Sequence, residues 1–580
     1  MSTKRIARVF ALAYLPALAA AVGCSRSRDA GPSGIAVRST GTTQVGGQSA
    51  AAALAFRAQE LPFTYERGES GSAWPVETTG GGVGLLDYDG DGDLDLFFAQ
   101  GMPLKGGKPR ILPTDMLLEN LGGGRFADVS SRAGLATKGY GQGVTVADYD
   151  GDGDPDVYVT RYGTNTLWRN DGGRFADATS EAGVGCGRWS LGAAFADYDG
   201  DGDLDLFVVN YFDFDPAHAP FARDPQSGAA DYGMPALFIG QPDVLYKNEG
   251  GGRFSDATSR AGVAGNGRGM GVLASDFDGD GLVDVLVAND AQANALWRNR
   301  GDGTFEDIAE GRGIAFNGQG QTEANMGIAQ GDTDGDGLPD VLITHLFGEH
   351  DTLWRALKQP GGIFFQDQTN EAGIAADTRP NTGWGTALAD FDLDGHLDLV
   401  VTNGHIRREP GQPYLYENPP ILWRNNGKGR FLNVTAGAGP YFRGRHIGRG
   451  LAAGDLDGDG DLDLVVVHHH APSVVLWNES PRRGRSLTVR LKGRGGNRDA
   501  IGARLVATVG PRRIVRTIDG GGSYLSSHDP RVHFGIGPAE RVDRLEVRWP
   551  TGRVESRDGI AAGSVVDWEE PPPGPGDAGR

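Results

Sequence analysis

The nine-residue pattern D-x-D-x-D-G-x-x-D occurs seven times in this chain of 580 residues, starting at Asp87, Asp148, Asp197, Asp276, Asp332, Asp390 and Asp455. Successive starts lie 61, 49, 79, 56, 58 and 65 residues apart. A pattern returning at that period marks an array of like supersecondary units. Four aspartates per copy make 28, half of the 56 Asp in a chain with only 20 Glu. Aspartate and the 94 glycines favour turns over helix, so a helical bundle is excluded. Hydrophobic residues at 39% exclude general disorder. A net charge of −21 argues against nucleic acid as a partner.

The pattern carries the chemistry of a hard cation, since calcium takes six to eight oxygens. Positions 1, 3 and 5 gather three carboxylates on a tight turn, the Gly at position 6 lets the backbone reverse, and position 9 returns a fourth carboxylate. The candidate calcium ligands are Asp87, Asp89, Asp91 and Asp95; Asp148, Asp150, Asp152 and Asp156; Asp197, Asp199, Asp201 and Asp205; Asp276, Asp278, Asp280 and Asp284; Asp332, Asp334, Asp336 and Asp340; Asp390, Asp392, Asp394 and Asp398; and Asp455, Asp457, Asp459 and Asp463. About seven calcium ions per chain are expected. Position 7 offers only its carbonyl, and its side chain varies freely: Asp93, Asp154, Asp203, Leu282, Leu338, His396 and Asp461. An EF-hand needs Glu at position 12. Here that position holds Phe98, Val159, Val208, Val287, Ile343, Val401 and Val466, so EF-hands are excluded. Dockerin-like loops lead into helices, whereas each loop here leads into a strand pattern such as DVYVTR or DLFVVN.

Each loop belongs to a larger unit. A glycine-rich strand precedes it, a β-rich strand follows, then an aromatic strand of the type LWRN, and then a turn into GRFADATSEAG and its relatives. Four short strands per unit at this period predict a β-propeller, with one blade per loop. Seven LWRN-like strands are followed by only six GRFxDxT-like strands. The missing strand is expected from Leu61–Tyr65, so that both chain ends close the seventh blade and leave few free edges. The fold class is thus all-β: a seven-bladed propeller over residues 55–480, plus a small β domain over 486–568 and a tail over 569–580. Alternation in LTVRLKG, RRIVRTI and RLEVRW carries the second domain. That domain holds 14 basic and 9 acidic residues and is expected to dock on the acidic propeller.

The first 23 residues read as a signal peptide, with Lys4, Arg5 and Arg8 before an apolar run from Val9 to Val22. Ala21-Val22-Gly23-Cys24 is similar to a bacterial lipobox, making Cys24 the expected lipidation site and residues 24–54 a tether. The expected location is an exported, lipid-anchored position in the bacterial cell envelope, with membrane contact only through the lipid. Cys186 then has no partner for a disulfide, and calcium takes over that stabilising role. A site at a hundredfold its Kd adds about 2.7 kcal/mol.

The loop-bearing units resemble FG-GAP/VCBS repeats, the propeller units also found in integrin α-chains. The stretches GNRDAIGARLVATVG, RTIDGGGSYLSSHDPRVHFGIG and VDRLEVRWPTG resemble the ASPIC/UnbV domain of the cartilage acidic protein family. The resemblance implies integrin-like calcium loops and leaves the biochemical role open.

Strand order puts the calcium loops on one face of the disc, and the variable connections on the other. Long insertions follow the second strands of units three and six, carrying Tyr211, Phe212, Phe214, Arg223, Tyr232, Arg407, Arg408, Tyr414 and Tyr416. Long loops on a rigid scaffold are where binding concentrates, so a protein or glycan partner is expected there. His345, His405, His446 and His468 fall on the same face, a set suited to a transition metal. Two functions are therefore open: an extracellular binding or adhesion module, or a metal-dependent enzyme of oxidase or lyase type. No Ser-His-Asp or Cys-His order and no phosphate loop is legible, so no catalytic residue is assigned.

Overall fold

A computed structural model describes residues 54–104, 114–136, 138–218, 222–223, 230–408 and 416–572. The expected signal peptide, Cys24 and nearly all of the tether lie outside the described residues, as do Tyr414, the side chain of Arg223 and residues 573–580. Among the described residues the architecture is all-β, with helices reduced to single turns such as Thr179–Ala182.

Seven antiparallel sheets follow one another, six of them four-stranded and the fourth extended to six strands by Glu323–Ala324 and Gly520–Gly521. In the second, strands Tyr140–Ala147, Asp156–Tyr162, Thr166–Asn170 and Phe175–Asp177 pair in sequence order, and the aspartate loop joins the first two. The first strands of the seven sheets are Val83–Leu86, Tyr140–Ala147, Ser190–Ala196, Gly269–Ser275, Ile328–Gly331, Gly383–Ala389 and Gly448–Gly454. Each contacts the next in this order, and the seventh contacts the first. These strands are buried on both sides and rich in Gly and Ala, because adjacent backbones approach closely. A Cβ on Gly271 would lie 2.2 Å from the Met326 carbonyl oxygen.

The seventh sheet takes its outer strand from the N-terminal segment, as expected, but from Phe56–Glu60 rather than Leu61–Tyr65. Phe56 lies opposite Asn478 and Glu60 opposite Val474. The cause is physical. Phe56 buries its ring against Phe391 and Phe442, while Pro62 has no amide to continue a ladder. Residues 61–65 instead turn along the sheet end. The Leu61 amide donates to Ser473 O at 2.8 Å, and Tyr65 stacks on His469 at 5.2 Å.

One contact recurs between sheets. An asparagine ends the third strand in six of them, and its side-chain amide donates to the second residue of the preceding aspartate loop. Asn170 reaches Tyr88 O, Asn248 reaches Tyr149 O, Asn299 reaches Tyr198 O, Asn425 reaches Thr333 O and Asn478 reaches Phe391 O, all at 2.7–3.1 Å. Asn120 of the first sheet reaches Leu456 O of the seventh at 2.8 Å. Ala356 stands at the equivalent place in the fifth sheet, where this bond is missing.

The C-terminal module is a β-sandwich. One sheet holds Val532–Gly535, Ser486–Lys492 and Val565–Glu569, and the other Arg512–Thr517, Arg504–Val509, Arg541–Arg548 and Val554–Ala561. Leu487, Leu505, Phe534, Leu545 and Trp568 fill its core. Its order runs past the expected end at 568, since Glu569 closes a strand and the Glu570 amide donates to Lys492 O.

The module's loop Asp519–Asp529 runs among the seven first strands. Gly520–Gly521 pair with Leu273–Ala274 of the fourth sheet. Ser523 exchanges two backbone bonds with Ile328 of the fifth and donates Oγ to Leu451 O of the seventh. Thr386 N of the sixth donates to Ser523 Oγ, Val144 N of the second to Leu525 O and Leu85 N of the first to Ser527 O. Gly520 lies against Phe195 of the third, where a Cβ would be 2.1 Å from the carbonyl oxygen. Tyr524 is fully buried, edge-on to Trp384 at 4.8 Å.

Candidate functional site

The seven loops share one hydrogen-bonded scaffold. The position-1 aspartate accepts backbone amides from the turn with both oxygens, as when Asp87 takes Gly90 N at 2.9 Å and Gly92 N at 3.0 Å. The position-5 aspartate accepts the position-7 amide, as with Asp91 and Asp93 N at 3.0 Å. Position 6 is left-handed in all seven, from Gly337 at φ 85 to Gly153 at φ 105. Position 4 is also left-handed, with Gly in six loops and Leu393 in the sixth, at φ 61.

Position 9 does a second job that the spacing alone did not reveal. Its two oxygens accept the amide of position 2 and the amide ending the third strand. Asp156 takes Tyr149 N at 3.1 Å and Asn170 N at 2.7 Å, and the same pair of bonds recurs at Asp95, Asp205, Asp284, Asp340, Asp398 and Asp463. This carboxylate ties the loop to its own sheet.

The carboxylates converge. One oxygen from each of Asp87, Asp89 and Asp95 lies within 4.8 Å of the others, and the same holds for Asp148, Asp150 and Asp156, for Asp197, Asp199 and Asp205, for Asp276, Asp278 and Asp284, and for Asp332, Asp334 and Asp336. Oδ1 of Asp150 and Oδ1 of Asp199 are buried with no hydrogen-bond partner. An unpaired carboxylate oxygen is costly to bury, and a divalent cation would satisfy it. Burial first, and then the neighbouring aspartates, push Asp156 up to about 9 and Asp205 and Asp463 to about 8. The donor set therefore fits a hard cation: acidic oxygens only, crowded and short of partners.

Basic side chains on or just beyond the third strands lean onto the outer carboxylates. Lys247 pairs with Asp199 and Asp201, Arg298 with Asp278 at 2.8 Å, Arg355 with Asp334 at 2.5 Å, and Arg482 with Asp459 at 2.5 Å. The sandwich covers the same face, as its excess of basic residues leads one to expect. Arg531 Nη2 donates to Asp455 O at 3.0 Å, Arg512 Nη1 to Asp394 O at 2.8 Å, and the Asn497 amide to Gly202 O at 2.9 Å. Asp499 accepts the Asp148 amide at 2.8 Å.

At the opposite strand ends the two insertions meet. Arg67, 5% exposed, donates Nη1 to Tyr416 OH at 3.0 Å and Nη2 to Tyr232 OH at 2.8 Å, and pairs with Glu69 at 3.0 Å. Tyr416 OH also meets His470 Nε2 at 3.0 Å, and the Arg408 guanidinium lies 4.9 Å from the Tyr416 ring centre. Tyr211, Phe212 and Phe214 do not form an open platform. They pack with Trp189 and Phe238 into a buried cluster, with Phe212 stacked on Phe238 at 4.4 Å.

The structure brings together two of the four histidines singled out. His446 and His468 stack at 5.1 Å beside Tyr441. His468 Nδ1 faces Pro472 O and Nε2 faces Tyr441 OH, both at 2.8 Å, and burial pushes it down to about 4. His446 Nε2 faces Tyr441 O at 3.0 Å. His345 faces His350 O and Asn325 Oδ1, both at 2.8 Å, and His405 Nδ1 lies 3.0 Å from Thr382 Oγ1. Cys186 is a buried free thiol.

The FG-GAP-like repeat family matches residues 87–159, 148–208, 233–287, 276–343 and 414–466, and the ASPIC and UnbV family matches 493–573. Cartilage acidic protein 1 of Homo sapiens is 29% identical over 352 residues, 57% of this chain and 48% of that protein. That of Mus musculus is 29% identical over 56% of this chain and 49% of the relative. The chain thus spans about half the length of these curated relatives. Among solved structures, the BP39L lectin from Burkholderia pseudomallei aligns at TM-score 0.41 and 11% identity over 70% of this chain and 96% of the lectin. Rhamnogalacturonan lyase YesW aligns at 0.32 and 14%, over 69% and 71%. Scores and identities this low say nothing of ligand or reaction. The two family matches fall on six of the seven aspartate loops and on the sandwich that covers them, and the chain accordingly belongs to the FG-GAP-like repeat proteins that carry a C-terminal ASPIC and UnbV domain.

Proposed function

We propose that this protein is a calcium-stabilised, seven-bladed β-propeller, exported and lipid-anchored through Cys24, that works as a binding or adhesion module outside the cell. The observation that carries the reading is the set of converging loop carboxylates with buried, partnerless oxygens at Asp150 and Asp199. Seven sheets with contiguous first strands, and the Asn120–Leu456 bond between the first and last, support a closed seven-bladed ring.

The loop face carries the sandwich, so the partner surface is the opposite one. There Arg67, Arg408, Tyr232 and Tyr416 gather polar and aromatic groups from three distant segments. Such a surface suits a glycan or a polar protein epitope. The ring nitrogens described at His345, His446 and His468 already face protein oxygens, which favours the binding module over a metal-dependent enzyme. No helix among the described residues is long and apolar enough to cross a membrane. Lipidation at Cys24 is tested by a Cys24→Ser chain, which should leave the membrane fraction.

Elemental analysis of chelated and reconstituted protein tests the metal part of this reading. Calcium alone supports the binding module, whereas stoichiometric copper, iron or zinc supports the enzyme. A glycan array with the calcium-loaded chain tests the partner class, and loss of binding in Tyr416→Ala would place it on the proposed face.

A further inference from the structure

A cavity of about 790 Å³ lies between the loop-bearing ends of the sheets and the sandwich. Its volume falls within the ordinary range for small-molecule sites, roughly 300–1,000 Å³. The disc side offers apolar wall such as Leu85 and Ile328, and the sandwich offers the guanidinium groups of Arg504, Arg516 and Arg548. Arg504 and Arg516 make no hydrogen bond to a carboxylate, although Asp332 lies near both, Asp276 near Arg504 and Asp390 near Arg516. Arg516 Nη1 donates only to the neighbouring Val515 carbonyl, and Nη2 is buried without a partner. Arg504 reaches Gly337 O at a long 3.3 Å. Burial, followed by the like charges of Arg513 and Arg548, pushes Arg504 below its usual range.

The acidic lining does not answer these charges once the loops are loaded. Asp499 already accepts the Asp148 amide, Asp519 accepts Gln330 Nε2 at 2.8 Å, and Asp529 pairs with Arg531 at 2.9 Å. Asp154 accepts the Gly172 amide at 2.7 Å. The rest, Asp87, Asp148, Asp276, Asp332 and Asp390, are the first residues of five loops. On the calcium reading above, on which this inference rests, those five carboxylates are committed to cations. What then faces the cavity is a cluster of under-paired guanidinium groups beside an apolar wall.

We infer that this cavity binds a small carboxylate, with Arg504 and Arg516 as the groups that recognise it. Guanidinium groups pair with carboxylates through two parallel hydrogen bonds, and a partly buried setting strengthens them. The apolar wall and the volume suit a ligand of sugar or short dicarboxylic-acid size.

Isothermal titration of the full chain, loaded with calcium and counted for bound ions, tests this with three probes: glucuronate, succinate and neutral glucose. Saturable binding of one or both carboxylates is expected, with none for glucose. Preference between the two separates a sugar acid from an aliphatic acid. Arg504→Gln and Arg516→Gln should each weaken binding at least tenfold while calcium stoichiometry is unchanged. If either variant fails to fold, Arg548→Gln takes its place. A calcium-loaded chain that shows no saturable carboxylate heat, or variants that bind as well as the parent, would overturn this inference and leave the calcium reading standing. A chain that holds no calcium would overturn both.

Discussion

The side-chain amide of Asn120 donates to the backbone carbonyl of Leu456, joining the first sheet to the seventh across 336 positions of sequence. Asn120 also reaches Leu94 O at 3.2 Å within its own loop. One small side chain thus binds its own aspartate loop and its neighbour's. The same amide bridges five further pairs of adjacent sheets, so the aspartate loops and the sheets are one mechanical system.

Asn120→Ala should destabilise the chain by about 1–3 kcal/mol, the usual cost of leaving buried carbonyls unpaired. Ala356→Asn, at the one interface without the bond, should leave stability unchanged or raise it. Thermal melts of the two variants at fixed calcium check this. Equal melting points for Asn120→Ala and the parent would mean that the bridges contribute nothing.

Tyr524 separates packing from hydrogen bonding. Its ring is fully buried among the first strands, yet its hydroxyl has no partner. Tyr524→Ala should cost about 3–5 kcal/mol, as for other large aromatic truncations. Tyr524→Phe should be neutral or mildly stabilising, because it removes a buried unpaired polar group. A Phe variant clearly less stable than the parent would show that the hydroxyl is bonded in solution.

Lys247 occupies two carboxylates of the third loop, Asp199 and Asp201. A cation entering that loop must displace or tolerate an ammonium group. Lys247→Met should therefore tighten calcium binding at this loop several-fold while lowering the stability of the metal-free chain. Terbium luminescence titration of the variant reads the affinity, and unchanged affinity would mean that the lysine stands clear of the ion.

Metal-free protein should lose stability as pH rises. Asp95, Asp205 and Asp463 are pushed to about 8 and Asp156 to about 9, chiefly by burial, against an ordinary value near 3.8. Between those values the folded chain holds protons that the unfolded chain has released, so stability falls with rising pH. His468, His528 and His533, pushed down to about 4, act in the opposite direction below about pH 6.5, but they are fewer than the aspartates. The melting temperature in EDTA should decline from about pH 5 to pH 8, and calcium should flatten that slope. A rising profile in EDTA would contradict the account.

Much of this architecture was legible because it is local. A nine-residue loop names its own cluster of carboxylates, and four strand patterns in a row name a sheet. The N-terminal strand was placed five residues late because both Phe56–Glu60 and Leu61–Tyr65 read as strand, and only the packing of Phe56 on Phe391 and Phe442 decides between them. The asparagine of LWRN was visible in nearly every copy, but its acceptor lies on another sheet. The insertion of Asp519–Asp529 among the first strands was not legible, since its backbone partners span residues 83 to 453. A clue was present: three glycines followed by Ser523 and Leu525, which adopt φ 51 and 56. Such strain at ordinary residues persists only where the surroundings hold it. The histidines sit at or beside strand ends, as their sequence positions lead one to expect; the oxygens they face are partly local, Pro472 O for His468 and His350 O for His345, and partly distant, Asn325 Oδ1 and Tyr441 OH.

The central claim is that the loops are calcium sites, and the most direct measurement is the number of calcium ions per chain after chelation, reconstitution and removal of free metal, read by elemental analysis alongside a thermal melt. The account predicts a number near seven and a melting temperature many degrees higher with calcium than with EDTA. A chain that retains no calcium, and melts at the same temperature in EDTA, would contradict it.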